Sequence, residues 1–159
     1  MQDFETIYTR YSPQIFRVCM GYVNDAEQAK DLTQETFISV WKNLASFRNE
    51  SKISTWIYRI ATNNCLRAIE VGKRMVKTEL PLHLPDLPDE SPEEKLKFLY
   101  RAIAELEETE RIIISLLLED LPQGEIADIV GLNPGTVRVR IHRIKEKLAI
   151  KLKAYGQFE

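Results

Sequence analysis

The residues best equipped for chemistry in this chain are basic, and they crowd one stretch: Arg138, Arg140, His142, Arg143, Lys145 and Lys147. An arginine can bond a guanine edge through two N–H groups or hold a phosphate as a fixed cation. Directly before them runs Gln123-Gly124-Glu125-Ile126-Ala127-Asp128-Ile129-Val130-Gly131-Leu132-Asn133-Pro134-Gly135-Thr136-Val137, which has the layout of a helix-turn-helix. Ala127 is small where the two helices must approach, and Gly131 permits the positive φ that the turn needs. Leu132 and Val137 plug the corner, while Asn133-Pro134 supplies a cap and a first-turn proline. Beyond it, Ile141, Ile144, Leu148 and Leu152 bury one side of the second helix and leave the basic residues on the rest. A charge run alone is often just a solvated helix face. Beside this turn signature it predicts a helix that enters a DNA groove.

Other chemistries find little support. The only histidines, His83 and His142, fall in a proline-rich segment and in the basic helix. There is no Gly-rich phosphate loop, metal-ligand spacing or pair of nucleophile and base, so no catalytic residue, metal or cofactor is expected and the enzyme class is disfavoured. Cys19 and Cys65 are far apart and outside any Cys/His cluster, which predicts neither a zinc site nor a disulfide framework and fits a reducing cytoplasm. No basic n-region and apolar core open the chain, so no signal peptide is expected. The longest apolar run, residues 112–118, is interrupted by Ser115 and falls well short of the roughly 20 residues a membrane-spanning helix needs, so no membrane insertion is expected.

The formal net charge of −2 argues against a nucleic-acid partner until its distribution is read. Residues 1–35 hold three basic and six acidic side chains, and residues 36–78 hold eight and two. Residues 79–128 hold four and fourteen, and residues 129–159 seven and two. Two positive blocks alternating with two negative ones suit a protein that touches DNA at two places and presents acidic surface elsewhere.

The elements that must position these residues are helices. Leu, Ile, Ala, Glu and Lys abound, Gly is scarce, and no strand-like alternation of useful length is present, so the fold class expected is all-α. Residues 80–92 contain four of the seven prolines among several acids and read as an extended linker. The chain divides into residues 1–77, a linker at 78–91, and residues 92–159. In the first part, Phe4, Ile7, Tyr8 and Tyr11 suggest a short helix, and Ser12-Pro13 the start of another ending near Asn24. Asp25 with Gln28 opens a helix to Leu44 whose core stripe includes Ala29, Leu32, Phe37, Val40 and Trp41. A loop over 47–52 follows, then a helix capped by Ser54 on which Trp56, at helical spacing with Ile57 and Ile60, packs inward. In the second part, Ser91-Pro92-Glu93-Glu94 starts a helix, Thr109 caps the next, and Pro122 ends it.

Three motifs carry a resemblance that covers nearly the whole chain: Asp31-Leu32-Thr33-Gln34-Glu35-Thr36-Phe37, then Phe47-Arg48 with Ser54-Thr55-Trp56-Ile57-Tyr58-Arg59-Ile60-Ala61-Thr62-Asn63, then Glu125-Ile126-Ala127 with Gly135-Thr136-Val137-Arg138-Val139-Arg140. In this order, around a proline-rich acidic linker, they resemble the group IV, extracytoplasmic-function (ECF), sigma factors of bacterial RNA polymerase.

The resemblance implies two small helical domains, a region 2 bundle and a region 4 helix-turn-helix. Asp31, Gln34, Glu35, Ile38 and Lys42 would dock on core RNA polymerase, although a plain solvent face also explains such charges. Phe47, Ser51 and Asn63 would form a pocket for an unstacked base of the minus-ten element, with Arg48, Lys52, Tyr58 and Arg59 making backbone or stacking contacts. Stacking and edge hydrogen bonds to a flipped base favour the open form of the duplex without ATP. Pro134, Thr136, Arg138, Val139, Arg140, His142, Arg143 and Lys147 would read the minus-thirty-five element. The linker would thread into the polymerase, and a simple tether explains its composition equally well.

The partners implied are core RNA polymerase, promoter DNA in double- and single-stranded form, and an anti-sigma factor. The chain would be monomeric when free and cytoplasmic, held at the inner membrane face where an anti-sigma factor tethers it. Two departures from the family pattern stand out. Ile69-Glu70-Val71-Gly72 interrupts a basic run before Lys73-Arg74, and Val139 replaces a small polar residue with an apolar contact. A conventional operator-binding regulator is the alternative; it would need a ligand pocket and usually a dimer interface, and no amphipathic zipper lies outside the basic helix.

Overall fold

The computed structural model describes residues 3–75 and 92–154, and over these the chain is helical, with no strand. The expected linker at 78–91 and the Ser91 cap lie outside the described residues. The first unit holds α1 (Phe4–Val23), α2 (Ala26–Asn43), a single 3-10 turn (Leu44–Ser46) and α3 (Ile53–Met75). The second holds α4 (Pro92–Ala104), α5 (Glu108–Leu117), α6 (Gln123–Val130) and α7 (Pro134–Ala154).

Where the sequence predicts two helices meeting at Ser12-Pro13, α1 runs unbroken with Pro13 inside it. Its buried stripe, Ile7, Tyr11, Ile15, Val18, Cys19 and Tyr22, continues in phase across the proline. Burying that stripe offsets the roughly 3 kcal/mol cost of an interior proline. Pro13 is also solvent-exposed, as is Thr9, whose carbonyl loses its helical donor to the ring but keeps access to water. Asn24 ends the helix in the left-handed conformation, at φ 50°, as a C-cap should. Asp25 then caps α2, its carboxylate accepting the Glu27 and Gln28 amides at 2.9 and 3.2 Å.

Two other predicted starts shift by a residue or two. The chain turns helical at Ile53, with the Trp56 amide already bonded to the Lys52 carbonyl, so Ser54 lies inside α3. Glu107, not Thr109, caps α5, and its amide donates to the Glu110 carboxylate at 3.3 Å.

Trp41 is the largest correction. The sequence places it in the core beside Val40, yet Val40 is fully buried and Trp41 is 65% exposed. The buried stripe of α2 runs through Ala29, Leu32, Thr33, Thr36, Phe37 and Val40, and Trp41, one position past its end, falls on the rim of that stripe. Trp41 lies edge-on to Phe4, with centroids 5.1 Å apart.

The core is one continuous cluster across both units. Ile7, Ile15, Val18, Val40 and Ile57 fill the first, while Ile103, Ile113, Leu116, Ile126, Val137 and Ile144 fill the second. The units meet where α1 packs on α4 and α5, and α3 packs on α6. Gly21 makes the first of these contacts possible, because a β-carbon there would overlap the Ser115 hydroxyl. Cys19 and Cys65, distant in sequence, meet in the core as free thiols 3.7 Å apart. Burial pushes the Cys65 thiol well above its ordinary range, which keeps it protonated.

Gly131 closes α6 at φ 75°, and its amide bonds the Ala127 carbonyl at 2.9 Å. A side chain there meets no neighbour, so the constraint is the backbone angle alone. Gly131→Ala is therefore expected to cost about 1–2 kcal/mol of stability in chemical denaturation. An unchanged midpoint would mean that the turn does not need the left-handed conformation.

Candidate nucleic-acid interface

The second unit presents the helix-turn-helix at the predicted positions. α6 and α7 meet at a corner filled by Val137, fully buried, with Ala127 and Ile126 beneath it and Leu132 half-buried alongside. Asn133 caps α7, its side-chain oxygen accepting the Gly135 amide at 2.8 Å. The amino end of α7 is thus held rigidly, with its positive dipole end turned outward.

Pro134, Thr136, Arg138, Val139, His142 and Arg143 are exposed around the amino-terminal half of α7, on the side away from Val137, Ile141 and Ile144. Arg140 is half-buried. His142 Nε2 lies 3.0 Å from a Glu146 carboxylate oxygen one turn on.

Lys147 departs from the predicted set. Its ammonium is bound at 2.8 Å to the carboxylate of Glu110, a buried residue of α5. A lysine committed to a buried carboxylate serves packing before it serves phosphate. Lys147→Ala is expected to cost about 1–3 kcal/mol of stability through the unpaired carboxylate, and to leave the salt dependence of DNA binding unchanged. A phosphate contact would instead lower the slope of log K against log salt by about one.

A cavity of about 770 Å3 opens between the carboxyl end of α2, the 47–51 loop and α3, with Asp128 of α6 at its rim. Of the residues expected at the minus-ten element, Phe47, Arg48, Ser51, Arg59 and Asn63 all line it. Phe47 stacks on Trp56, with centroids 4.8 Å apart and planes inclined by 30°. Trp56 is half-buried, so it backs the Phe47 ring and also forms part of the wall, rather than disappearing into the core. Asn63 is exposed, with its amide free to meet a ligand edge. Below it Arg67 donates to Asn64 at 2.9 Å, and Asn64 lies 3.4 Å from the Thr36 hydroxyl. The result is an aromatic wall, an exposed amide and three guanidinium groups, those of Arg48, Arg59 and Arg67, around one concavity. That combination can stack a base, bond its edge and neutralise its phosphate.

Two expected contacts lie elsewhere. Tyr58 is buried, and its hydroxyl donates to Gln14 Oε1 at 2.8 Å on the opposite side of α3. Burial raises the Tyr58 hydroxyl above the ordinary tyrosine range, and it is unavailable for stacking. It sits two positions from Trp56 and five from Asn63, out of helical phase with the cavity wall. Lys52 lies on a neighbouring groove and bonds the Glu125 carboxylate at 2.7 Å, which raises its affinity for its proton.

Asp31, Gln34, Glu35, Ile38 and Lys42 share the outer face of α2, all exposed, with Ile38 at 52%. The sequence reading missed what borders them. Phe4, Tyr8, Phe37 and Trp41 join Gln34 and Ile38 around an open apolar groove. The spacing of Gln34, Ile38 and Trp41, at i, i+4 and i+7, is the signal that could have placed Trp41 there.

Comparison with known proteins accords with these two units. Residues 7–75 match the family Sigma-70 region 2, and residues 99–148 match Sigma-70, region 4. The ECF RNA polymerase sigma factor SigW of Bacillus subtilis is 31% identical, covering 94% of this chain and 89% of that protein. The RNA polymerase sigma-H factor of Pseudomonas aeruginosa is 29% identical, covering 91% and 83%. Among solved structures, the sigma factor RpoE of Bartonella quintana, in complex with the anti-sigma factor NepR, shares the fold. It superposes with a TM-score of 0.79 over 96% of this chain and 98% of its own, at 22% identity. With both sigma-70 regions matched in order and a relative of this similarity spanning almost its full length, the chain belongs to the extracytoplasmic-function group of RNA polymerase sigma factors.

Proposed function

We propose that this sigma factor binds core RNA polymerase through the outer face of α2, reads a minus-thirty-five element with α7, and captures non-template bases of the minus-ten element in the cavity between α2 and α3. Catalysis belongs to the polymerase, and the chain supplies recognition and strand opening. The observation that carries this reading is the pairing, on one chain, of an exposed arginine-bearing recognition helix with a separate cavity walled by Phe47, Trp56, Arg59 and Asn63. A duplex reader needs the first; only a protein that holds unstacked bases needs the second.

The remaining roles follow the same division. Residues 1–77 would act as the polymerase-binding and melting module and 92–159 as the upstream-element module, joined by 78–91. Among the described residues no helix is long and apolar enough to cross a membrane. A cytoplasmic protein, monomeric when free and kept inactive by an anti-sigma partner, agrees with the family.

The direct test is size-exclusion chromatography with purified core polymerase. A one-to-one complex that fails to form with Ile38→Glu supports docking through α2. A homodimer that binds duplex operator DNA and ignores core polymerase would favour a conventional regulator instead.

A further inference from the structure

Cys19 and Cys65 have no part in promoter reading, yet the fold brings them together from positions 46 residues apart. Both are fully buried free thiols, one on α1 and the other on α3. Their sulfurs lie 3.7 Å apart, with the Cys65 thiol donating to Cys19 Sγ. That hydrogen bond draws the Cys19 thiol below its ordinary range, while burial holds Cys65 protonated. The two sulfurs are therefore unequal, Cys19 being the better nucleophile and Cys65 the thiol that resolves.

We propose that Cys19 and Cys65 form an oxidation site: hydrogen peroxide converts them to a disulfide that ties α1 to α3 and, by shifting α3, lowers capture of the flipped base. The functional half of this inference rests on the base-capture reading. In the first step the Cys19 sulfur attacks one peroxide oxygen, the S–O bond forms and the O–O bond breaks. The departing oxygen takes the Cys19 proton and leaves as water, with Cys19 now a sulfenic acid. The Cys65 sulfur then attacks Cys19 Sγ, and the hydroxyl leaves with the Cys65 proton as a second water. Two thiols lose two electrons in all, and one peroxide gains them.

α1 carries Pro13 six residues before Cys19 and Gly21 two residues after it, the two residue types least suited to a helix interior. Local opening of this stretch admits a molecule little larger than water, and burial makes the reaction slow. Forming the bond requires the sulfurs to close from 3.7 Å to about 2 Å. Tyr22, fully buried, is an electrostatic neighbour of both thiols, and a close-packed interior leaves no room for one side chain to swing alone, so the helices follow. Asn63 and Asn64 directly precede Cys65 on α3. Asn64 Nδ2 reaches the Thr36 hydroxyl of α2 at 3.4 Å, near the limit of a hydrogen bond. A shift of α3 against α2 breaks that bond and moves Asn63 within the cavity wall. Where geometry is specific, a displacement of about 1 Å costs up to about 100-fold.

The test treats the reduced full chain with hydrogen peroxide, removes the peroxide, and alkylates a sample under denaturing conditions for intact mass and peptide mapping. Loss of two hydrogens with a Cys19–Cys65 cross-linked peptide is expected. The oxidised chain, mixed with core polymerase without reductant, is expected to open promoters at least about fivefold less than the reduced chain by permanganate footprinting. Dithiothreitol should restore opening, which separates the disulfide from methionine oxidation, a lesion this reagent does not reverse. Cys65→Ala should open promoters alike before and after peroxide. If that variant fails to fold, reversal on the wild-type chain decides. Absence of the cross-link, or added oxygen at Cys19 without it, would overturn the site. A quantitative cross-link with unchanged opening would overturn the coupling to the cavity. The cross-link is read without polymerase or DNA, so its failure is distinct from failure of the reduced chain to open promoters, which tests the base-capture reading.

Discussion

Phe47→Ala is expected to reduce formation of the open promoter complex by about 5- to 150-fold, the span that corresponds to losing about 1–3 kcal/mol of base stacking. Phe47 is half-buried, backed by Trp56 at 4.8 Å, and opens onto the cavity. Its ring is therefore supported on one face and offered on the other, which is how a stacking platform is built. Asn63→Ala should act in the same direction through lost edge hydrogen bonds. Because Asn63 is exposed and the inner hydrogen bonds run through Asn64 and Arg67, its removal should leave the melting temperature nearly unchanged. Permanganate footprinting of unpaired thymines measures the opening directly. Normal opening by both variants would remove the cavity from the mechanism, and loss of core binding would mean that the 47–63 segment serves docking.

Arg138→Ala is expected to weaken binding to the upstream element by about 1–3 kcal/mol, or roughly 5- to 150-fold. Arg138 stands at the amino end of α7, exposed, on a turn fixed by Asn133 and Gly131. If its guanidinium reads a base, discrimination at one position falls while the salt slope stays nearly constant. If it holds a phosphate, every sequence weakens alike and the slope falls by about one. Competition binding against single-base variants, repeated at two salt concentrations, separates the two. Undiminished affinity would exclude Arg138 from the reading surface.

The helix-turn-helix was legible from sequence because each of its demands is local. A left-handed glycine, an Asn-Pro cap, a small residue at the crossing and an apolar corner all fall within residues 123–137. The cavity was legible in part: Phe47, Arg48, Ser51, Arg59 and Asn63 do meet there, but Tyr58 does not, since helical phase sends it to Gln14. Errors arose where a residue sat at the edge of a buried stripe or where distant segments met. Trp41 fell on the rim of the α2 stripe rather than inside it, and the stripe of α1 carried the helix through Pro13. Lys147 found Glu110, 37 residues earlier, and Lys52 found Glu125, 73 residues later. No local pattern announces such pairs. The alternating charge blocks hinted at them, yet the same blocks also fit separate DNA contacts, and only the packed structure shows acidic α6 lying against basic α3.

Run-off transcription with purified core polymerase on genomic fragments, followed by mapping of transcript starts, tests the central claim most directly. Adding the chain should produce transcripts from a small set of sites sharing two upstream elements, and Asn63→Ala should abolish most of them while still binding core enzyme. Transcripts that start at random, or none beyond those of the core enzyme alone, would contradict the assignment of promoter recognition to this protein.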